Sequence, residues 1–131
     1  MPTMLTIRDQ ALDGGTLHEF ALEVLTERLT VRELIRSRVY QEVQDFNRRQ
    51  PAIFHGLVQP EDAERTLNGC KLRRPQTIDW KQQYDMAVQA FTAGRILLIV
   101  DDRQVDALDE VIVLQPETRV CFLRLTLLTG G

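Results

Sequence analysis

Apolar positions along this chain change period several times, and each change marks the edge of an element. Met4-Leu5-Thr6-Ile7-Arg8 alternates apolar and polar, the spacing of a half-buried strand. Asp13-Gly14-Gly15 is a turn signal, and from His18 to Leu25 the alternation resumes with Phe20, Leu22 and Val24 on one face. The two runs predict a β-hairpin. Thr30 then opens a helix, because Thr30 and Glu33 have the spacing of a capping box. Val31, Leu34, Ile35, Val39, Val43 and Phe46 follow three and four residues apart, giving one apolar stripe. This helix is expected to fray near Asn47-Arg48-Arg49, ahead of Pro51.

From about 47 to 78 the pattern is less regular. Pro60 at a first-turn position, Glu61-Asp62 behind it and Asn68-Gly69 at the far end predict a short helix. A clearer helix runs from about Asp79 to Ala93, with Trp80, Tyr84, Ala87, Val88 and Phe91 on one face and Gly94 as its stop. Ile96-Leu97-Leu98-Ile99-Val100 reads as a strand, Asp101-Asp102 as a tight turn, and Arg103-Gln104-Val105 as a short returning strand. Leu108 to Leu114 is apolar without a clear period, and Gln115-Pro116-Glu117-Thr118 turns the chain. A last strand is expected from Val120 to about Leu127, and the sequence ends Leu128-Thr129-Gly130-Gly131.

With 131 residues the chain is expected to form one domain over 1–129, with 126–131 as an extended tail. A hydrophobic content of 44% and a charged content of 27% are those of an ordinary soluble domain. A net charge of −3 makes no electrostatic case for nucleic acid. No apolar run is long enough to span a membrane and Met1-Pro2-Thr3 opens no signal peptide, so cytoplasmic residence is expected. Cys70 and Cys121 are too few for a disulfide framework. Cys121 falls in a strand pattern as a small buried hydrophobe, and Cys70 in a loop where it can be exposed. His18 and His55 stand apart in sequence without metal-ligand spacing. Asp101, Asp102, Asp106, Asp109 and Glu110 read as turns and a solvated face. Neither a catalytic constellation nor a cofactor or metal motif emerges, so the chain is not expected to be an enzyme.

One feature remains without a structural purpose. Two terminal glycines bury no side chain and carry the largest backbone entropy, so Gly130-Gly131 adds nothing to stability. It offers a thin thread ending in a carboxylate that can enter a narrow enzyme channel.

The order of elements is hairpin, long helix, inserted segment, strand, short strand, loop, last strand and tail. In that order the sequence resembles the ubiquitin-like family. The resemblance rests on Met4 to about Phe46, including the helix start Thr30-Val31-Arg32-Glu33-Leu34-Ile35, and on Arg95 to Gly131. It implies an α+β fold, a ubiquitin-like β-grasp with a mixed sheet and crossing helix, carrying a helical insertion at about 47–94 between the first helix and the third strand. That insertion is far longer than ubiquitin's short link, and Leu127-Leu128-Thr129 stands where ubiquitin alternates arginine and leucine. Both departures look more like the modifiers of bacterial ubiquitin-like conjugation operons, which are associated with antiviral defence.

What the resemblance implies is a protein modifier. Gly131, with Gly130 beside it, would be adenylated by a cognate activating enzyme using Mg-ATP, passed as a thioester to a conjugating enzyme, and joined to target proteins. A JAB-type protease would remove it. Leu127, Leu128 and Thr129 would be read by those enzymes, and ubiquitin's own machinery would handle the tail poorly. Leu12, Leu97 and Ile99, with Leu123 or Leu125, would form an apolar partner patch. Lys71 and Lys81 are the only lysines, hence the candidate side-chain acceptors for self-linked chains. A sulfur carrier with a C-terminal thiocarboxylate, or a β-grasp binding module whose Gly-Gly is incidental, are the alternatives. The inserted segment is expected to act as a lid on the sheet rather than as a partner surface.

Overall fold

The computed structural model describes residues 3–11, 15–66 and 69–125. Strands β1 (Thr3–Ala11) and β2 (Thr16–Val24) pair antiparallel over eight register positions, as their alternation predicts. A short strand β3 (Arg28–Thr30) leads into helix α1 (Val31–Arg49). Thr30 caps it as expected, its hydroxyl accepting from the Glu33 N–H at 3.1 Å. The helix holds through Arg49 and stops at Gln50, whose N–H still bonds the Phe46 carbonyl and whose left-handed φ of 46° turns the chain out of the helix.

Strands β4 (Ala63–Arg65) and β5 (Cys70–Leu72) come next and pair antiparallel with each other. This corrects the short helix expected from Pro60 to Gly69. The Phe54 and Cys70 backbones exchange both hydrogen bonds, at 2.8 and 3.0 Å, and Ala63 and Cys70 are buried. Tertiary pairing along one buried edge outweighs the local helix signal here, and Asp62 at a φ of 58° turns the chain into β4. Cys70, read as a loop residue that can be exposed, instead lies in β5 and is buried.

Helix α2 (Trp80–Thr92) begins at Asp79, whose carboxylate accepts from the Lys81 N–H at 3.0 Å. Strand β6 (Ile96–Val100) turns through Asp101 and Asp102 into β7 (Arg103–Val105). Both turn residues lie at positive φ, 49° and 69°, the backbone that a two-residue hairpin with the native twist needs. The unperiodic apolar stretch after it contains β8 (Val111–Val113), which pairs with β3 as a separate two-stranded sheet. The last described strand is β9 (Arg119–Arg124).

The structure is therefore α+β, with two helices and a mixed sheet among the described residues. The main sheet runs β2-β1-β9-β6-β7; β1 and β9 are parallel neighbours and the other pairs antiparallel. Its inner face supplies Leu5, Ile7, Leu22, Leu98, Val120 and Phe122 to a core shared with Leu34, Ile35, Val39 and Val43 of α1 and with Ala87 and Phe91 of α2. Among the described residues, no helix is long and apolar enough to cross a membrane.

Period-two facing makes a sharp prediction at adjacent positions of β6. Leu98 is fully buried while Leu97 is half-buried on the opposite face. Leu98→Ala is expected to cost about 2–5 kcal/mol, as lost burial plus a cavity, and Leu97→Ala under about 1 kcal/mol. Urea unfolding of the two variants measures the difference, and equal costs would mean that the face assignment is reversed.

Candidate functional site

The outer face of the sheet carries an apolar stripe where β6 and β9 run side by side. Leu97 lies directly opposite Leu123, and Ile99 opposite Cys121, all four half-buried. Such facing pairs interact across the strands. Cys121 is therefore not the core hydrophobe expected; its thiol donates to the Gln10 side-chain oxygen at 3.2 Å, on the β1 side of the stripe. Leu125, also half-buried, lies one residue beyond β9, where its N–H still bonds the Arg95 carbonyl at 2.9 Å. Of the expected patch, Leu97 and Ile99 share this face, and Leu123 is the β9 residue opposite Leu97. Leu12, Leu127, Leu128, Thr129, Gly130 and Gly131 lie outside the described residues. Lys71 is exposed on β5 opposite Glu64, and Lys81 is exposed in the first turn of α2.

On the inner face, near the end of β9, lies a cluster of charges that no periodic reading anticipates. Asp9 on β1 and Arg38 on α1 are both fully buried and form a two-pronged ion pair, with both N–O distances 2.6 Å. Arg124 on β9 donates to the same Asp9 carboxylate at 2.8 Å and to the Gly56 carbonyl at 2.6 Å. Arg38 Nε donates to Glu42, one helical turn on, at 3.1 Å, and Glu42 accepts from the Leu57 N–H at 2.9 Å. The Arg38 guanidinium also lies 4.9 Å from the Phe20 ring centre and 4.7 Å from that of Phe122. Burial would raise the Asp9 carboxyl, but the Arg38 and Arg124 guanidiniums outweigh it and hold the group below the usual carboxylate range. Burial pushes the Glu42 carboxyl up, against the pull of Arg38 and the Leu57 N–H.

This cluster joins four parts of the chain: β1, α1, β9 and the loop at 56–57. Gly56 allows the loop to pass close, because a Cβ there would sit 2.1 Å from the Phe54 ring. Phe54 is buried and packed edge-on against Phe46, with ring centres 5.1 Å apart.

Beside the cluster a cleft of about 780 Å³ opens between β2, α1 and the loop at 51–55. His18 and His55, distant in sequence, stack face to face on its wall with ring centres 4.6 Å apart and planes 10° apart. Burial lowers the His18 pKa, and His55, Arg38 and Arg124 lower it further against the opposing pull of Asp9. A histidine with a depressed folded pKa stabilises the fold above its ordinary value of about 6.5, and that contribution is lost as pH falls below it. The urea midpoint is thus expected to drop between pH 7.5 and 5.5 by more in the wild type than in His18→Gln. Equal drops would show that His18 plays no part. Burial also pushes the Cys70 thiol up to about 11, and burial with Asp9 raises Cys121, so neither thiol ionises at neutral pH.

Among the described residues, no three His, Cys, Asp or Glu side chains gather where they could hold a metal ion. Comparisons with protein families, curated proteins and solved structures give no match to this chain.

Proposed function

We propose that this chain is a ubiquitin-like protein modifier of β-grasp fold, whose Gly131 carboxylate is activated and joined to other proteins by its own enzymes. The observation that carries the reading is the strand order β2-β1-β9-β6-β7, with the first and last strands parallel and adjacent and a helix following the first hairpin. That order is the one the β-grasp arrangement requires. The strands of this order come from the two stretches of sequence that carry the resemblance.

The chemistry follows from the electrophile. A free carboxylate resists attack, so it is first joined to AMP with release of pyrophosphate from Mg-ATP. An enzyme thiolate then displaces AMP to form a thioester, and an amine displaces the thiolate to form an amide. Glycine at both last positions leaves the tetrahedral carbon uncrowded. The outer stripe of Leu97, Ile99 and Leu123, extended by Leu125, is the surface we assign to partner docking, and Lys71 and Lys81 are the side-chain acceptors available for self-linkage. Cytoplasmic residence, a JAB-type deconjugating protease and a role in antiviral defence belong to the same proposal.

The test begins with the genes on either side of this one: any activating and conjugating enzymes they encode are incubated with the chain and Mg-ATP, and the products are read by intact mass. Adducts on other proteins that such a protease removes support the modifier. Gain of one sulfur in place of one oxygen on the free chain identifies a sulfur carrier instead. Recovery of the chain unchanged leaves a binding module.

A further inference from the structure

The exposed ridge of α1 carries Arg36, Tyr40 and Gln44 one helical turn apart, and α2 brings Trp80 against it. The Arg36 guanidinium lies 5.2 Å from the Trp80 ring centre. Tyr40 meets the same ring edge-on, at 5.1 Å and 86°. Gln44 Nε2 donates to the Tyr40 hydroxyl at 3.1 Å, which leaves the hydroxyl's own proton to be donated.

A free guanidinium resting on a ring is what sets this cluster apart. Arg8, Arg32, Arg48, Arg49, Arg73, Arg74 and Arg103 are exposed arginines that each hold a carboxylate within 4.0 Å. Among the described residues Arg28, Arg36, Arg65, Arg95 and Arg119 are exposed without such a carboxylate, and of these only Arg36 has its guanidinium laid on an aromatic face. A stacked guanidinium loses little further freedom on binding and presents its N–H fork outward, the geometry that matches a carboxylate. Tyr40 also lines the mouth of the 780 Å³ cleft, which continues past Gln44 to Phe46 and Ile53.

We infer that Arg36, Tyr40 and Trp80 form a docking site for an acidic segment of a partner protein. An Asp or Glu carboxylate of the partner takes the Arg36 fork and the Tyr40 hydroxyl proton, and an adjoining bulky apolar side chain enters the cleft. A protein segment fits better than a small anion, because one guanidinium and one phenol hold a single carboxylate while Phe20, Phe46, Ile53 and Phe54 in the cleft beside them can receive an apolar side chain. Trp, Tyr and Arg are also the residues over-represented where protein partners bind most strongly. The inference is independent of the proposed conjugation chemistry.

Trp80 is the chain's only tryptophan, so its fluorescence reads the site directly. The probe is the acetylated, amidated peptide Leu-Glu-Glu-Phe-Leu, compared with the same peptide carrying Gln for Glu. Saturable change is expected with the acidic peptide, and at least about tenfold weaker binding with the neutral one. Arg36→Gln is expected to weaken the acidic peptide by about tenfold and Arg36→Lys by less, since charge survives without the fork. Both variants are at an exposed position and should keep the wild-type urea midpoint. Equal binding of the two peptides, wild-type binding by Arg36→Gln, or no saturation by about 5 mM peptide would each overturn the site.

Discussion

Asp9→Asn is expected to destabilise the fold by about 3–5 kcal/mol, the cost of leaving buried charges without their counter-charge. Asp9 is fully buried and accepts from three guanidinium nitrogens, two on Arg38 and one on Arg124. Asparagine keeps the shape, so no cavity opens and the change is electrical. The amide offers one oxygen to those donors and turns an NH2 toward a guanidinium. Glu42 would then be the only carboxylate facing two buried cations, and its hold is on Arg38 alone. Folded domains of this size are stable by about 5–15 kcal/mol, so this one atom exchange removes a large share. Arg38→Met is expected to cost less, because Asp9 keeps Arg124 and the methionine can still pack against Phe20 and Phe122. Urea unfolding of the two variants and their double mutant checks both the size and the order. A loss below about 1 kcal/mol for Asp9→Asn would mean that the cluster is hydrated and weakly coupled.

The same cluster shows where reading the sequence succeeds and fails. The hairpin, both helices, β6 and the last strand follow from periodicity and capping, because one buried face decides each of them, and β7 follows from the tight turn that precedes it. Thr30 and Asp79 act as caps, and the Asp101-Asp102 turn has the backbone its position requires. Arg38 stands at a core position of the α1 stripe, four residues after Leu34. Asp9 continues the inward alternation of Leu5 and Ile7, and Arg124 that of Val120 and Phe122. A charge at an inward position on each of three elements is a visible signal, since buried charges need partners. What the pattern lacks is the pairing itself, which depends on how β1, α1 and β9 meet. The β3–β8 and β4–β5 pairs are hidden for a related reason. Each strand has three residues, too short for a period, and is specified by long-range contacts such as that between Phe54 and Cys70. The histidine stack likewise joins residues that sequence spacing holds apart.

Deleting Gly131 is expected to abolish adduct formation and leave stability within about 0.5 kcal/mol, because glycine has no side chain to bury. The reason for total loss is reach. One extended residue spans about 3.3–3.6 Å, so the carboxylate of a chain ending at Gly130 falls that far short of the nucleotide when the folded domain is held in place. A misplacement of about 1 Å already costs on the order of a hundredfold in rate. Gly131→Ala keeps the reach and adds a Cβ beside the reacting carbon, so a smaller loss of about tenfold is expected, carried in kcat. Leu97→Asp and Leu123→Asp act differently. They place charge on the outer stripe without touching the carboxylate, so KM for the activating enzyme should rise with kcat little changed. Pyrophosphate release on addition of the activating enzyme and Mg-ATP measures all four variants in one assay. If the truncated chain is activated as fast as the full one, the carboxylate is not the working group. If Gly131 matters but the outer-face variants behave as wild type, the enzyme grips the tail and another face of the domain.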